Sequence, residues 1–392
     1  MIRFSRFLGI AAIAAISVAV ARGEVEIRSP GSSPSKVADD GTLVEPWGAV
    51  RLQLVSPQDK EIVSHRAEQS PMPMAVTCFK AGEVTLTESA YRAPIWPSGV
   101  DVLEAAVANT GEQPAKAELE LVVPEGMQIG ESTGSIGKQP ALVLPAGLTP
   151  IREEREWGCT EAVSALPGWA KPSVPCDPAF KNISAGMGGV PIRYRFQVEP
   201  GAKRTVVLGF CESHHPGPGL RPLLVQVEGA EERTVDPVAA WGRHVPGVVR
   251  FDGADANADG RLEVSVGPHP RASDRNTILN VVWIFDAAAE LDEKKLIGGE
   301  LNERAQHYVD VGGENDQLFY KPGNVRFALD LQPKEQREFF FLFRSPDCRQ
   351  LPDPALGLWD RESLRKAAAD VWKDRWEEPA GGDAPASPPA TE

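Results

Sequence analysis

In the segment from Ile192 to Val198 the apolar side chains Ile192, Tyr194, Phe196 and Val198 alternate with Arg193, Arg195 and Gln197. A period of two puts one set on each face of an extended chain, so the pattern predicts a strand with one buried and one wet face. Similar runs at Arg51 to Val55, Met74 to Phe79, Val84 to Thr87, Asp101 to Val107 and Glu118 to Val123 are mostly bounded by Gly, Pro or Asn, the punctuation expected of strands. Residues 145 to 190 break the rhythm with Pro, Gly and two Trp; after them, Val206 to Phe210, Leu223 to Val227 and Val281 to Phe285 predict buried strands. Trp283, inside the last run, reads as structural. With 36 Gly and 35 Pro in 392 residues, the chain suits many short strands joined by turns and suits long helices badly. The predicted class is all-β.

The ends behave differently. Arg3 and Arg6 precede a small and apolar run from Leu8 to Val20, and Ala19-Val20-Ala21 offers the small-x-small pattern of a cleavage site, so residues 1–21 are expected to be an export signal. The polar stretch 22–44 is expected to be a flexible leader. Leu364, Ala368, Val371, Trp372 and Trp376 recur at helical spacing after a capping Asp360, which predicts a helix over 358–377 packed on the protein's own sheet. Residues 378–392 lack the apolar surface to order themselves.

A repeat suggests how the strands divide. Ile192 to Pro200, with Arg204 and then Val206-Val207-Leu208, is echoed by Val325 to Pro333, Arg337 and Phe339-Phe340-Phe341. One reading is two hairpins obeying the same turn rules. The other is two β-sandwich domains, with one over 190–286 inserted in another over 45–189 that residues 300–345 complete, and with 287–322 as a connecting segment.

Charge and cysteine content narrow the function. A net charge of −14 and a pI near 5.1 make a surface that repels phosphate backbones, so nucleic acid is excluded as a partner. The Leu8 to Val20 run is too short for a membrane span, so no transmembrane span is expected after signal cleavage, with an uncleaved N-terminal anchor as the rival reading. Five cysteines in an exported chain allow two disulfides; a Cys159–Cys176 bridge is the first expectation, and Cys211 reads as a small buried residue.

Four constellations carry candidate chemistry. Asp255, Asn257 and Asp259 alternate before Gly260, as in a calcium loop, with Glu263 or Asp252 as a further ligand; Val266 stands where such a loop needs a bidentate Glu. The competing and favoured reading is an acidic hairpin turn. Glu212-Ser213-His214-His215 follows the Val206–Phe210 run; metal ligands, plain loop residues and sugar contacts are all open readings of the His pair, and Ser213 would need a distant His and acid to act as a nucleophile. Trp47, Trp96, Trp157, Trp169 and Trp241 lie at loop-like positions where a sugar's C–H face could stack, and core filling is the plainer role for each. Carboxylates are plentiful, but no pair stands out as a glycosidase's acid and base.

Phe210-Cys211-Glu212-Ser213-His214-His215, then Leu223 to Gly229, Pro237, Val248-Val249, and Asn276 to Phe285 together resemble the malectin and malectin-like family over about residues 190–286. That resemblance implies a β-sandwich that binds carbohydrate, with Glu212 at a strand end and His214-His215 where the family carries its sugar-contacting aromatic pair. A second similarity, from Leu331-Gln332-Pro333 to the Trp-bearing helix, is to the N-terminal β-domains that precede helical barrels in some bacterial glycoside hydrolases. Together they lead to an exported, non-catalytic carbohydrate-binding protein using Glu212, His214, His215, Trp241 and Asp252. The alternatives are an accessory domain of a glycoside hydrolase and a structural or adhesive envelope protein. No cofactor is required by this reading, and calcium at Asp255, Asn257, Asp259 and Glu263 remains an option.

Overall fold

The computed structural model describes residues 23–95, 99–137, 139–160, 163–313, 318–348 and 360–376. The expected signal, the C-terminal tail and Trp96 lie outside the described residues, as does the side chain of Trp376.

Alternation becomes two sandwiches. In the first, a six-stranded sheet runs in the spatial order Val25–Ile27, Ser35–Val37, Leu43–Glu45, Gly48–Ser56, Ala115–Val122 and Val325–Leu331. It faces an eight-stranded sheet in which Gln336–Arg344 pairs with Val100–Asn109, and Val84–Ala93, Met74–Ala81 and Glu61–Glu68 follow outward. Inward-facing Leu52, Leu54, Leu86, Val107, Leu119, Phe327 and Phe341 form one core between them.

The second sandwich has its own core, built on Tyr194, Phe196, Val206, Leu208, Phe210, Leu223, Val264 and Trp283. One wall is the five-stranded sheet Trp157–Cys159, Ile192–Gln197, Arg261–Pro268, Leu223–Val227 and Arg233–Val235. The other is Gly247–Ala254, Lys203–Phe210, Val281–Asp286 and His307–Asp310, with Ser164–Leu166, Ile183–Gly186 and Thr277–Leu279 as a smaller third sheet.

Several expectations are corrected. Stretch 22–44 is not a flexible leader: three short antiparallel strands bury Val25, Ile27, Val37 and Leu43. The fully buried ion pair of Arg92 and Asp101 fixes them from below, because Ser35 Oγ donates to Asp101 Oδ2 at 2.6 Å. The inserted sandwich is wider than 190–286, since strands from Trp157–Cys159 to His307–Asp310 pair within its sheets. Residues 287–322 therefore supply an edge strand as well as a connection. The echoed segments are not hairpins: Ile192–Gln197 pairs with Arg261–Pro268 while Lys203–Phe210 pairs in the opposite sheet, and Val325–Leu331 and Gln336–Arg344 divide in the same way. Each Pro-led loop carries the chain across its sandwich. The expected Cys159–Cys176 bridge is not formed; Cys159 sits in a strand bridged to Leu318.

The helix Arg361–Trp376 forms as predicted, with Asp360 Oδ1 accepting the Ser363 N–H at 2.8 Å. Leu364 and Ala368 are buried against Tyr91, Val102 and Leu342 on the outer face of the eight-stranded sheet. Buried Glu104 accepts 2.8 Å hydrogen bonds from Arg365 Nε on both carboxylate oxygens.

Candidate functional site

Lys203–Phe210 is the middle strand of its sheet, flanked by Gly247–Ala254 and Val281–Asp286. At its end the chain must leave the sheet, and buried Asn280 controls the exit. Asn280 Oδ1 accepts the Cys211 N–H at 2.8 Å, and its amide donates to Phe180 O and Asn182 O at 3.0 and 2.8 Å. Cys211 stays inside as expected, with burial pushing its thiol up to about 11.

Glu212 is only 1% exposed. One carboxylate oxygen accepts the N–H groups of His214 and His215 at 2.6 and 3.2 Å, and the other pairs with Arg221 Nη1 at 2.5 Å. The carboxylate is thus spent on shaping the loop and does not face a ligand, which corrects its expected role as a hydroxyl partner. Arg221 passes the charge on to Asp274, whose Oδ2 also contacts His215 Nε2 at 2.7 Å. Burial works to raise the Asp274 carboxyl, but the Asn276 N–H, the Arg221 guanidinium and His215 outweigh it and hold it at about 2. Above this network His214 is exposed and stands edge-on to half-buried His215, with ring centroids 4.8 Å apart and an interplanar angle of 74°.

A second loop lies against the first. Asp236 caps the single turn Pro237–Ala240, and Trp241 follows it, stacked on Phe210 at 6.3 Å and 12°. Gly247, the register partner of Phe210, leaves the room: a Cβ there would lie 2.0 Å from the indole. His244, at a left-handed φ of 65°, donates its N–H to Glu212 O at 2.7 Å, and Arg243 donates to Ser213 O at 3.2 and 3.3 Å. A third segment joins through Lys171 N–H to Ser213 Oγ at 2.8 Å and Ser173 N–H to His244 O at 2.8 Å. The Arg221 guanidinium lies 5.9 Å from the Trp169 ring.

His214, His215 and Trp241 therefore share one rim. Asp252 does not: it pairs with Thr205, five residues along the strand from Gly247, or about 17 Å at the usual rise. Exposed, beside Arg250 at 3.4 Å, it belongs to the opposite end. The Asp255–Gly260 loop is also at that end and joins strands of opposite sheets, so it is not a hairpin turn. Its oxygens serve the backbone. Asp255 accepts N–H groups of Gly201, Asp259 and Gly260, which overcome burial and lower its carboxyl; Asn257 accepts the Asp259 N–H; Asp259 accepts the Arg261 N–H; Glu263 pairs with Arg195. Among the described residues no group of three or more His, Cys, Asp or Glu is arranged to hold a metal ion.

Sequence reasoning missed Arg221, Asp274, Arg243 and His244 as parts of this rim. It also left Ser213 without a partner, and the structure supplies one: Ser213 Oγ lies 3.1 Å from His244 Nδ1. The two nearby acids, Glu212 and Asp274, are engaged by Arg221 and His215.

No protein-family profile matches the sequence, and no curated protein matches it either. Among solved structures, the chain is similar to the ANX2 ectodomain from Arabidopsis thaliana, at 13% identity over 68% of this chain and 97% of that one, with a TM-score of 0.29. The ANX1 ectodomain from the same plant is matched at 11% identity, 67% and 95% coverage and a TM-score of 0.28. A structure of the plant peptide RALF23 in complex with FER and LLG2 is matched at 11% identity, 68% and 96% coverage, also with 0.28. At these scores the all-β architecture rests on the strand pairing described above.

Proposed function

We propose that this is an exported, non-catalytic carbohydrate-binding protein, and that the rim at the end of Lys203–Phe210 is where it holds a saccharide. Exposed His214, the edge-on His215, half-buried Trp241 and Arg243 offer flat faces and hydrogen-bond donors on two loops joined by the His244 N–H to Glu212 O and Arg243 to Ser213 O bonds. A pyranose needs both kinds of contact, apolar surface for its C–H face and polar groups for its hydroxyls. The malectin-like order of residues points to the same rim, with His214 and His215 in the place of an aromatic pair. The observation that carries the reading is the fixed His214–His215 pair, set by two N–H bonds to one buried carboxylate. A binding loop that is rigid before the ligand arrives loses less entropy on binding. Affinity for one sugar site of this kind should be modest, since each contact replaces one with water.

A glycan array probed with the intact chain tests the proposal. Binding to a defined set of plant, algal or bacterial saccharides is expected; a flat response across all of them would remove the reading. The Ser213–His244 contact favours a second reading, a serine hydrolase. Labelling of Ser213 by a fluorophosphonate would support it, and the binding account predicts none. Asp252 and a calcium-bound Asp255–Asp259 loop have no part in this proposal.

A further inference from the structure

The echo between the sandwiches runs further than its strands. At one constant spacing Ile192 corresponds to Val325, Pro200 to Pro333, Arg204 to Arg337 and Phe210 to Phe343, and each strand pair crosses its sandwich after the Pro-led loop. Both copies end on a Phe that carries a Trp. Trp241 stacks on Phe210 at 6.3 Å and 12°, and Trp47 stacks on Phe343 at 6.4 Å and 24°. The two Trp come from unrelated places in the chain, one from a loop after a helical turn and one from the corner before Gly48–Ser56. Two sandwiches of different connectivity thus build the same platform at the same strand end.

In the first sandwich that platform borders a cavity of about 370 Å3, within the range of small-ligand clefts. Trp47, Pro46, Gln139, Arg344 and Pro346 line it. The Trp47 indole N–H donates to Arg344 O at 2.8 Å, which together with buried Phe343 fixes the half-buried ring. Arg344 Nη1 donates to Gln139 Oε1 at 2.7 Å, and the remaining donors of the guanidinium fork are suited to a carboxylate. Arg344 stands where the other copy has Cys211, so the platforms match while the charge beside them differs.

We propose that this cavity is a second saccharide seat and that it takes a uronic-acid residue. The pyranose face lies on Trp47, its carboxylate meets Arg344, and a hydroxyl meets the Gln139 amide. The inference goes beyond the rim reading and uses none of the rim's residues, so either can fail alone. Because the net charge of −14 repels long anionic polymers, short oligouronates are the appropriate probe.

The test is calorimetric titration of the full chain with tetramers of galacturonic, glucuronic and mannuronic acid, and with a neutral glucose tetramer. Binding of at least one uronate tetramer is expected. Arg344→Gln should weaken it about tenfold or more, the usual effect of losing a charged hydrogen bond. Gln139→Ala, at an exposed position, should weaken it several-fold with unchanged melting temperature, and Trp47→Phe, which keeps a ring on Phe343 but loses the hydrogen bond to Arg344 O, should weaken it several-fold with a somewhat lower melting temperature. A His214→Ala, His215→Ala pair should leave it intact. The inference is overturned if no uronate tetramer binds, if Arg344→Gln and Gln139→Ala bind as the natural chain does, or if only the histidine pair removes binding. Each of these outcomes leaves the saccharide reading of the rim to its own test.

Discussion

Glu212 Oε1 accepts the His214 N–H at 2.6 Å from a position that is almost fully buried, so a carboxylate inside the protein sets the direction of an imidazole outside it. The exposed ring makes the proposed contact, and the buried acid makes the loop. The two residues should therefore respond in opposite ways to substitution.

Replacing Glu212 by Ala removes one of the two acids paired with Arg221, which is only 5% exposed, and with it the acceptor of the His214 and His215 N–H groups. Breaking one partner of a buried pair costs about 3–5 kcal/mol. Chemical denaturation should show a loss of that order for Glu212→Ala, and a change within about 0.5 kcal/mol for His214→Ala, whose ring is at the surface.

The Asp274 carboxyl, held at about 2, gives the rim an acid limit. A group with a depressed folded pKa contributes stability above its unfolded value near 3.9, and that contribution is lost as pH falls through the folded one. Melting temperature should drop between about pH 4 and pH 2, and Asp274→Asn should flatten that part of the profile while lowering stability at neutral pH. An unchanged slope in Asp274→Asn would contradict the role given to this residue.

Glu88 presents the opposite case. It is 2% exposed, both carboxylate oxygens lack a hydrogen-bond partner among the described residues, and burial pushes its carboxyl well above the usual range. A raised folded pKa gives stability that is complete below the unfolded value and declines as pH rises through the folded one. Glu88→Gln should therefore raise the melting temperature at pH 7 to 8, with the gain shrinking toward pH 4.

Gly247→Ala tests how Trp241 is seated. The added methyl meets the indole at 2.0 Å, so the ring must move or the strand must give, at a cost of about 1–3 kcal/mol. A shift in tryptophan emission together with weaker saccharide binding is expected; unchanged emission would place Trp241 elsewhere.

Much of the fold was legible because alternation is local: Tyr194, Phe196 and Val198 declare their buried face within a few residues. What the strands pair with is not local. The turn signals at Pro200 and Pro333 say that the chain bends, but they do not say whether the next strand joins the same sheet or the facing one, which is why crossovers read as hairpins. Val25–Ile27 and Ser35–Val37 are three residues each, too short to show a period against a polar background. Within the site, His214 and His215 were visible as a motif. Arg221 and Asp274 were not, since 53 residues separate them and only the folded sheets bring them to Glu212. Trp241 stood out among the loop Trp, whereas Trp47 looks like any other until Phe343 is found beneath it.

The central claim is that the end of Lys203–Phe210 binds a saccharide through side chains held ready on the surface. Its most direct test is a pair of calorimetric titrations with the best array saccharide, one on the intact chain and one on the His214→Ala, His215→Ala variant at equal melting temperature. The account predicts a measurable isotherm for the first and a loss of about tenfold or more for the second; identical isotherms would contradict it.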